Sequence, residues 1–406
     1  MDYVRPDAYL PVLAAIKLNS VIPLAVTLGA IFYASANGNG KIFSHSNTKW
    51  FLFFLFLLFI SLFISDVTEY AYKKFKLIFG FVLWYYIIVK LVTDINKIKG
   101  IFIVFVLSHI LLVILNPNVV LEPATRSYIR NNAFLGDGND FSLSVSLTIP
   151  MCLFLIQDAK KFISKSFYIL ALIILIGAII GTQSRGASLA LMATFAYLWW
   201  MGRQKLLGIM LIGGALVTVL AFAPPVYFER MNTIRNYESE GSAMGRIIAW
   251  RTAIRMAAAK PLTGVGPGHF AVKLGTDFRP PEYGSENLPW LTAHSSYFLI
   301  LGELGLPGII FFLAILIGNY RRNSKYMKTM REYADSGGDS GVESEYRKLF
   351  LMLNASLVAF SVGGAFLSVT YYPHIFVLVG LFVAAEFMYK LDLEEKNINK
   401  SLATDK

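Results

Sequence analysis

The stretch Phe-Leu-Phe-Phe-Leu-Phe-Leu-Leu-Phe-Ile-Ser-Leu-Phe-Ile-Ser at residues 51–65 decides the fold class of this chain. It carries no charged residue, and similar apolar blocks recur at Ile101–Leu115, Phe167–Gly181 and Leu206–Phe222. A helix needs roughly 20 mostly apolar residues to cross the hydrocarbon core, with about 17 as the lower limit. Only helices or closed barrels satisfy backbone hydrogen bonds in lipid, and the alternating pattern of a barrel is absent. The blocks therefore predict an all-α, polytopic transmembrane helix bundle.

The composition of the whole chain supports a membrane protein. Of its 406 residues, 56% are hydrophobic and 16% are charged, and the mean hydropathy is +0.56. Soluble domains carry about a quarter charged residues and under half apolar ones. The net charge of +11 does not indicate a nucleic-acid partner, because Lys and Arg collect in the cytoplasmic loops of membrane proteins. The only cysteine, Cys152, lies in an apolar run, so we expect neither an intrachain disulfide nor a thiolate metal site.

We predict about 11–12 transmembrane spans, with bounds good to a few residues. The spans that can be delimited are 15–35, 50–66, 76–93, 99–116, 140–157, 167–184, 186–201, 206–223, 295–318, 348–370 and 373–389. The chain then divides into spans over 1–223, one long loop with short helices over 224–293, and spans over 294–390 that enclose a cytoplasmic loop at 319–347, before a tail at 391–406. The first residues lack a basic region followed by a small-residue cleavage site, so we expect no cleavable signal peptide.

Basic residues set the predicted orientation. If the spans alternate, the basic segments at 160–165, 203–205, 321–331 and 390–400 fall on one face, and such segments mark the cytoplasm. The opposite, outer face receives 117–139, the turn at 183–186, the long loop 224–293 and the turn at 371–374. The loop at 66–75, with Lys73 and Lys74, also falls outside, which this rule does not favour. The odd span count places the N-terminus outside as well.

Two arginines on the predicted outer face are candidate site residues. Arg185 lies between two apolar spans, where an ionisable group is costly and indicates a functional site; the alternative is an arginine that reaches the lipid headgroups. Arg246 lies in a predicted helix over 242–260 and shares a face with Trp250, while Arg251 and Arg255 form a second stripe. Trp250 and Arg251 are possible supporting residues of the site. Such a helix could bind phosphate, or it could lie at the membrane interface and hold anionic lipids.

His294 opens the span that begins at Ser295, at the outer mouth of the bundle. Imidazole suits general-base work on a sugar hydroxyl, although a lone histidine at a helix start is more often a cap. The predicted presence of Arg185 and Arg246 on the same face favours the catalytic interpretation. Glu303 is nine residues further on, which on a helix is the opposite side and over ~13 Å away, so it is a poor partner for His294.

Several other motifs do not predict chemistry on their own. The acidic stretch Gly136–Asp140 resembles a pair that holds a metal and a nucleotide sugar, but it lies outside, so we interpret it as a turn that caps the next helix and keep Asp140 as a possible supporting residue. Gly264–Gly268 follows no strand and contains a proline, so it is not a dinucleotide fingerprint. The five histidines show no metal-ligand spacing, so we expect no metal and no cofactor. His374, and His109 in mid-span, remain possible supporting groups.

These residues resemble the O-antigen ligase and polymerase superfamily of bacterial envelopes. The resemblance covers roughly residues 134–318. It rests on Ser184-Arg185-Gly186, on Gly245-Arg246 with Trp250 leading into 261–270, and on His294-Ser295-Ser296-Tyr297 with Leu301-Gly302-Glu303-Leu304-Gly305. The stretch Phe134–Phe141 is also similar to the branch of exosortase-associated O-glycosylation ligases.

The resemblance implies an inner-membrane enzyme with its active site facing the periplasm. Such enzymes move a glycan from an undecaprenyl-diphosphate carrier to an acceptor hydroxyl, with inversion and without a metal. By position, His294 would be the general base, and Arg185 and Arg246 would bind the diphosphate. The acceptor stays open between lipid A core, a growing polysaccharide and a protein side chain. The rival from another class is a flippase or transporter of lipid-linked precursors, which predicts charges spread along the spans rather than arginines gathered at one face.

Overall fold

The computed structural model describes residues 11–16, 18–33, 42–121, 134–202, 241–280, 291–336 and 341–404, with the isolated residues 4, 129, 205, 209, 213 and 214. The helices of these segments, in chain order, are α1 (Pro11–Ala15), α2 (Leu18–Phe32), α3 (Ser46–Ile64), α4 (Thr68–Leu91), α5 (Ile95–Leu115), α6 (Asn118–Leu121), α7 (Gly138–Asp158), α8 (Phe162–Gly181), α9 (Arg185–Met201), α10 (Gly241–Ala259), α11 (Phe270–Gly275), α12 (Ser296–Asp335), α13 (Gly341–Gly364) and α14 (Pro373–Thr404). The described residues form no strand, which confirms the all-α class.

The apolar blocks of the sequence become long helices. In the described part of the chain, α3, α5, α7, α8, α12 and the segment Pro373–Glu394 of α14 are long and apolar enough to cross a membrane. The protein is therefore a multi-pass membrane protein. Helices α2, α4, α9 and α13 occupy the other predicted spans in this part. The predicted span at 206–223 lies largely outside the described residues.

The helices alternate between two ends of the bundle. We call the first the His294 end, where the Thr292 hydroxyl donates to Ser368 Oγ at 2.8 Å and the Tyr372 hydroxyl donates to Asp140 Oδ2 at 2.7 Å. These contacts join the starts of α7, α12 and α14 to the end of α13.

The opposite end carries ion pairs between helix ends far apart in sequence. Lys99 Nζ lies 2.9 Å from Asp158 Oδ1 and 2.8 Å from Glu345 Oε1. His45 Nε2 lies 3.3 Å from Glu386 Oε2. Together these pairs join α5, α7 and α13, and connect α14 to the residue that precedes α3.

Helix α12 is longer than the sequence suggests. It does not stop at Gly318 but continues to Asp335, and α13 begins at Gly341. The loop expected at 319–347 is therefore mostly helical where the structure describes it. Ion pairs one turn apart, Lys328 with Glu332 at 3.7 Å and Arg331 with Asp335 at 3.6 Å, are of the kind that supports a solvated helix.

Helix α12 also contains a kink at Gly305, where φ is +64° and ψ is −155°. Only glycine adopts this region without strain. The kink exposes backbone groups of α12 to the loop that follows α10: Leu306 N–H donates to Pro261 O at 2.8 Å, and Gly266 N–H donates to Glu303 O at 3.0 Å. Residues of the predicted loop between α10 and α12 are thus hydrogen-bonded to the first third of α12.

Candidate functional site

A cavity of about 340 Å³ opens at the His294 end of the bundle. It lies between α4, α7, α12 and the turn before α14. Its described lining combines polar and apolar surface and consists of Lys74, Asp137, Asn139, Asp140, Gly268, Phe270, Ala271, Thr292, His294, Leu299, Glu303, Leu367, Ser368, Tyr371 and Tyr372. Pockets for small ligands in proteins have volumes of about 300–1,000 Å³, so this cavity is large enough to hold the reacting part of a substrate.

His294 lies on the cavity wall in a strained backbone conformation. Its φ is +46°, which is uncommon for a residue other than glycine. The neighbouring Ala293 is buried, and its carbonyl accepts a hydrogen bond of 3.0 Å from the indole N–H of Trp250. The Trp250 ring stacks on Phe298 with centroids 5.1 Å apart. Helix α10 therefore holds the backbone immediately before His294.

Ser296 fixes the residues after His294. Its hydroxyl donates to Leu367 O at 2.7 Å and accepts from Val369 N–H at 3.0 Å, while the Thr370 hydroxyl donates to Ser296 O at 2.9 Å. The start of α12 is thereby joined to the turn between α13 and α14. His294 lies between this contact and the Trp250 contact, so its position is determined from both sides.

Arg185 begins α9 close to the same turn. Ser184 caps the helix by accepting a hydrogen bond from Ala187 N–H at 3.3 Å. A Cβ atom placed on Gly186 would lie 3.1 Å from Phe366 Cβ, so the start of α9 packs against the turn that also holds Ser296. Arg185 is half-buried. The structure thus brings Arg185 to the His294 end.

Arg246 lies on the predicted helix, which the structure confirms as α10. It is half-buried and precedes Trp250 by one turn, whereas Arg251 is exposed. A Cβ atom on Gly245 would lie 3.6 Å from Leu291 Cδ1, so this part of α10 packs near the residues before His294. Among the described residues, neither Arg185 nor Arg246 lines the cavity, and their contact with a diphosphate stays a prediction.

The acidic stretch before α7 caps this helix, as the sequence predicts. Asp137 accepts a hydrogen bond of 2.7 Å from Asn139 N–H at the start of α7. Asp140 lines the cavity and accepts from the Tyr372 hydroxyl. Burial, with Asp140 nearby, raises the pKa of Tyr372 above its usual range, so this hydroxyl stays a proton donor. His374 is buried, with its ring centroid 5.1 Å from that of Phe134.

Lys74 and Glu303 are cavity residues that the sequence argument missed. Lys74 Nζ lies 5.0 Å from the centroid of the Tyr371 ring. Glu303 is only 2% exposed and accepts hydrogen bonds from the Tyr371 hydroxyl at 2.7 Å and from Phe270 N–H at 3.0 Å. Burial raises the pKa of Tyr371 well above its usual value, and Glu303 adds to this effect.

Glu303 and His294 both line the cavity. The nine-residue separation does not place them on opposite sides of a helix, because His294 lies before the start of α12. The helix begins at Ser296, and Ser295 and His294 have φ values of −161° and +46°. Leu299 and Glu303, four residues apart on one helical face, carry the cavity wall down α12. For Lys74 a sequence signal did exist, namely a lysine pair on the face where basic residues are disfavoured.

The described residues contain no group of three or more His, Cys, Asp or Glu side chains that could hold a metal ion. The polar groups of the cavity are instead carboxylates, an amide, hydroxyls, an imidazole and an ammonium. Such groups form hydrogen bonds with sugar hydroxyls. The cavity is thus suited to a polar, hydroxyl-rich ligand.

One comparison with known proteins finds a family that part of the chain resembles. Residues 170–313 match the family described as O-antigen ligase, a segment that includes Arg185, Arg246, Trp250 and His294. No curated protein matches the chain. The family match does not reach Phe134–Phe141, so the narrower resemblance to exosortase-associated ligases is not confirmed. Residues 170–313 of this multi-pass membrane protein are therefore similar to O-antigen ligases, which are membrane glycan transferases.

Proposed function

We propose that the chain transfers a glycan from an undecaprenyl-diphosphate carrier to an acceptor hydroxyl at the periplasmic face of the bacterial inner membrane. The observation that carries this proposal is the position of His294, which lies on the wall of a polar cavity and within the family-matched segment. The contacts of Trp250 and Ser296 support it, because they hold the backbone on both sides of His294.

His294 acts as the general base. It accepts the proton of the acceptor hydroxyl, whose oxygen forms a bond to the anomeric carbon of the glycan. The bond between that carbon and the diphosphate oxygen breaks, and undecaprenyl diphosphate leaves from the opposite side, which inverts the anomeric configuration. Proton transfer to a positioned side chain contributes about 10²–10⁴-fold to such a rate.

Arg185 and Arg246 bind the diphosphate. The leaving group gains negative charge as the glycosidic bond breaks, and guanidinium groups bind phosphate oxygens in pairs and stay charged. Fixed cations placed where charge develops stabilise the transition state. These arginines supply the charge that a divalent metal would otherwise bring, so the reaction needs no metal.

The test is a transfer assay with the purified chain in phospholipid vesicles. Undecaprenyl-diphosphate glycan is supplied together with lipid A core, a second carrier-linked glycan or an acceptor protein, in excess EDTA. We expect product with an inverted linkage, measured by NMR of the anomeric proton, and the exposed-site variant Thr276→Ala should match wild type. Loss of activity in EDTA that Mg²⁺ restores would contradict the arginine mechanism. No product with any acceptor would contradict the transferase function.

A further inference from the structure

The turn between α13 and α14 carries two consecutive tyrosines that contact carboxylates on different walls of the cavity. The Tyr371 hydroxyl donates to Glu303 Oε2 on α12 at 2.7 Å. The Tyr372 hydroxyl donates to Asp140 Oδ2 on α7, also at 2.7 Å. All four residues line the cavity, which therefore contains two tyrosine–carboxylate pairs, one on the side of α12 and one on the side of α7.

The two carboxylates differ in how many of their oxygens the protein uses. Both oxygens of Glu303 accept hydrogen bonds, Oε1 from Phe270 N–H at 3.0 Å and Oε2 from Tyr371. Glu303 is thus a buried contact that joins α12 to α11 and to the turn. Asp140 is half-buried, and among the described residues its carboxylate accepts from Tyr372 at Oδ2 alone. The other oxygen, Oδ1, is therefore available to a ligand in the cavity.

Asn139 places a donor beside this acceptor. Its side chain also lines the cavity and forms no hydrogen bond with the described part of the chain, while its backbone N–H donates to the capping Asp137 at 2.7 Å. The cap fixes the first turn of α7, so little order has to be gained when a ligand binds. An amide N–H₂ donates and a carboxylate oxygen accepts. Asn139 and Asp140 together therefore match two neighbouring hydroxyls of a sugar ring.

Helix α7 places this pair on the same side of the bundle as Arg185. It packs on α9, which begins with Arg185, and both helices pack on α13. Lys74 and Glu303 line the cavity from α4 and α12 instead. A sugar held by α7 thus lies on the flank of the arginine proposed for the diphosphate, as the sugar joined directly to that diphosphate must.

We propose that Asp140 and Asn139 bind two hydroxyls of the sugar that is joined to the diphosphate of the donor, and that Tyr372 is a positioning residue that orients Asp140. The assignment to the donor rests on the proposed function, because it takes the diphosphate as bound by Arg185 and Arg246. The pair makes the enzyme selective for donors whose first sugar carries both hydroxyls. A sugar that lacks one of them leaves a polar group of the site unpaired, which is a strong basis for rejection.

The test is equilibrium binding of donors in the absence of an acceptor, which needs no turnover. The full chain in nanodiscs is titrated with undecaprenyl diphosphate and with the same carrier bearing one glucose, galactose, N-acetylglucosamine or N-acetylgalactosamine. Singly deoxygenated analogues of the sugar that binds most tightly follow.

Asp140→Ala should weaken binding of the sugar-bearing carrier at least about tenfold, because the accepting oxygen is removed. It should leave the affinity for the bare carrier unchanged, since that ligand has no sugar hydroxyl. The analogue that lacks the hydroxyl bound by Asp140 should bind equally to wild type and to Asp140→Ala. Asn139→Ala, which keeps the backbone contact with Asp137, should show the same pattern for the other hydroxyl.

Tyr372→Phe and Tyr371→Phe are a matched pair, because each removes one hydroxyl that donates to a carboxylate at 2.7 Å. Tyr372→Phe should weaken binding of the sugar-bearing carrier only, and in the transfer assay it should raise the donor KM more than it changes kcat. Tyr371→Phe should lower the midpoint of thermal unfolding and keep the wild-type ratio of affinities for sugar-bearing and bare carrier.

The outcomes separate this inference from the proposed function. Equal weakening of bare and sugar-bearing carrier by Asp140→Ala would make Asp140 a structural contact and overturn the proposal. The proposal would also fail if wild type bound every sugar-bearing carrier no more tightly than the bare one, or if Asp140→Ala changed the acceptor KM alone. All three results leave the proposed function intact, whereas a wild type that binds no diphosphate-linked carrier would contradict that function and this inference with it.

Discussion

At the scale of single residues, strained backbone conformations lie near the candidate site. Among the described residues other than glycine, positive φ angles occur at Gln183, with +54°, and at His294, with +46°. Gln183 lies two residues before Arg185. Such conformations cost about 1–3 kcal/mol each and persist where surrounding contacts impose them. At His294 those contacts are the hydrogen bonds of Trp250 and Ser296, which hold the backbone on both sides of this residue.

His294→Ala should lower the rate of glycan transfer by at least about 10²-fold, because the proton acceptor is removed. Expression and detergent extraction should stay near wild type, since alanine keeps the backbone contacts of Ala293 and Ser296. Turnover of the purified variant, together with its elution on size exclusion, gives the measurement. A rate within about tenfold of wild type would exclude His294 as the general base.

Trp250→Phe tests whether Trp250 positions His294. The phenyl ring keeps the stacking on Phe298 but loses the hydrogen bond to Ala293 O. A small misplacement of a catalytic group can cost up to about 10²-fold, so we expect a lower kcat with little change in the donor KM. Trp200→Phe on α9, where the tryptophan is 73% exposed, is the control. Equal kcat values for the two variants would remove the positioning role.

Arg185→Lys and Arg246→Lys keep the positive charge but lose the paired hydrogen bonds of guanidinium to phosphate. We expect each to lower turnover and weaken binding of the diphosphate-linked donor. Turnover and donor affinity are measured together for both variants, with Arg251→Lys as the control because Arg251 is exposed on α10. Normal values for both would mean that the two arginines only contact lipid headgroups.

At the scale of elements, the kinked helix α12 organises the site. Its first part carries Leu299 and Glu303 on the cavity wall, and its kink at Gly305 binds the loop after α10. Helix α10 in turn holds Ala293 through Trp250. The position of His294 therefore depends on contacts between α10 and α12, not on either helix alone.

Gly305→Ala should destabilise the protein by about 1–3 kcal/mol, because alanine is strained at this φ and ψ. The added Cβ would also lie 2.3 Å from Pro261 O, so the loop after α10 must shift. Gly318→Ala on the same helix is the matched control, since nothing lies within 4 Å of its added Cβ. Thermal unfolding of both variants in detergent is the measurement. An equal midpoint for the two would show that the backbone at the kink does not require glycine.

Local elements could be predicted from sequence, while the composition of the cavity could not. The helix α10 and the cap at Asp137 follow from local pattern, and the structure confirms both. The cavity positions of Lys74 and Glu303 depend on long-range packing: Glu303 meets the Tyr371 hydroxyl 68 residues away. The expectation that Glu303 lies on the opposite side of the helix from His294 assumed that both are helical. His294 lies before the helix, in a conformation that no local pattern specifies.

At the scale of the whole molecule, the basic residues lie in two sets, one at each end of the bundle. Those at 160–165 and 321–331 lie towards the ends of helices opposite His294, as expected for a cytoplasmic face. Lys73, Lys74 and Lys76 lie at the His294 end, against that rule. Lys74 lies on the cavity wall, and the diphosphate of the proposed donor supplies a reason to keep positive charge there.

The orientation of the bundle in the membrane can be tested with single cysteines. In a Cys152→Ser background, Thr276→Cys reports on the His294 end and Ser336→Cys on the opposite end; both positions are exposed. From the kink at Gly305 to Asp335, α12 is ~46 Å long at 1.5 Å per residue, about the ~40–45 Å of a bilayer with its headgroups, so we expect the two ends of this segment to lie on different sides. A membrane-impermeant thiol reagent is added to cells whose outer membrane is permeable. We expect Thr276→Cys to react in intact cells and Ser336→Cys to react only after the inner membrane is opened. The opposite pattern would place His294 in the cytoplasm, where the proposed periplasmic transfer could not occur.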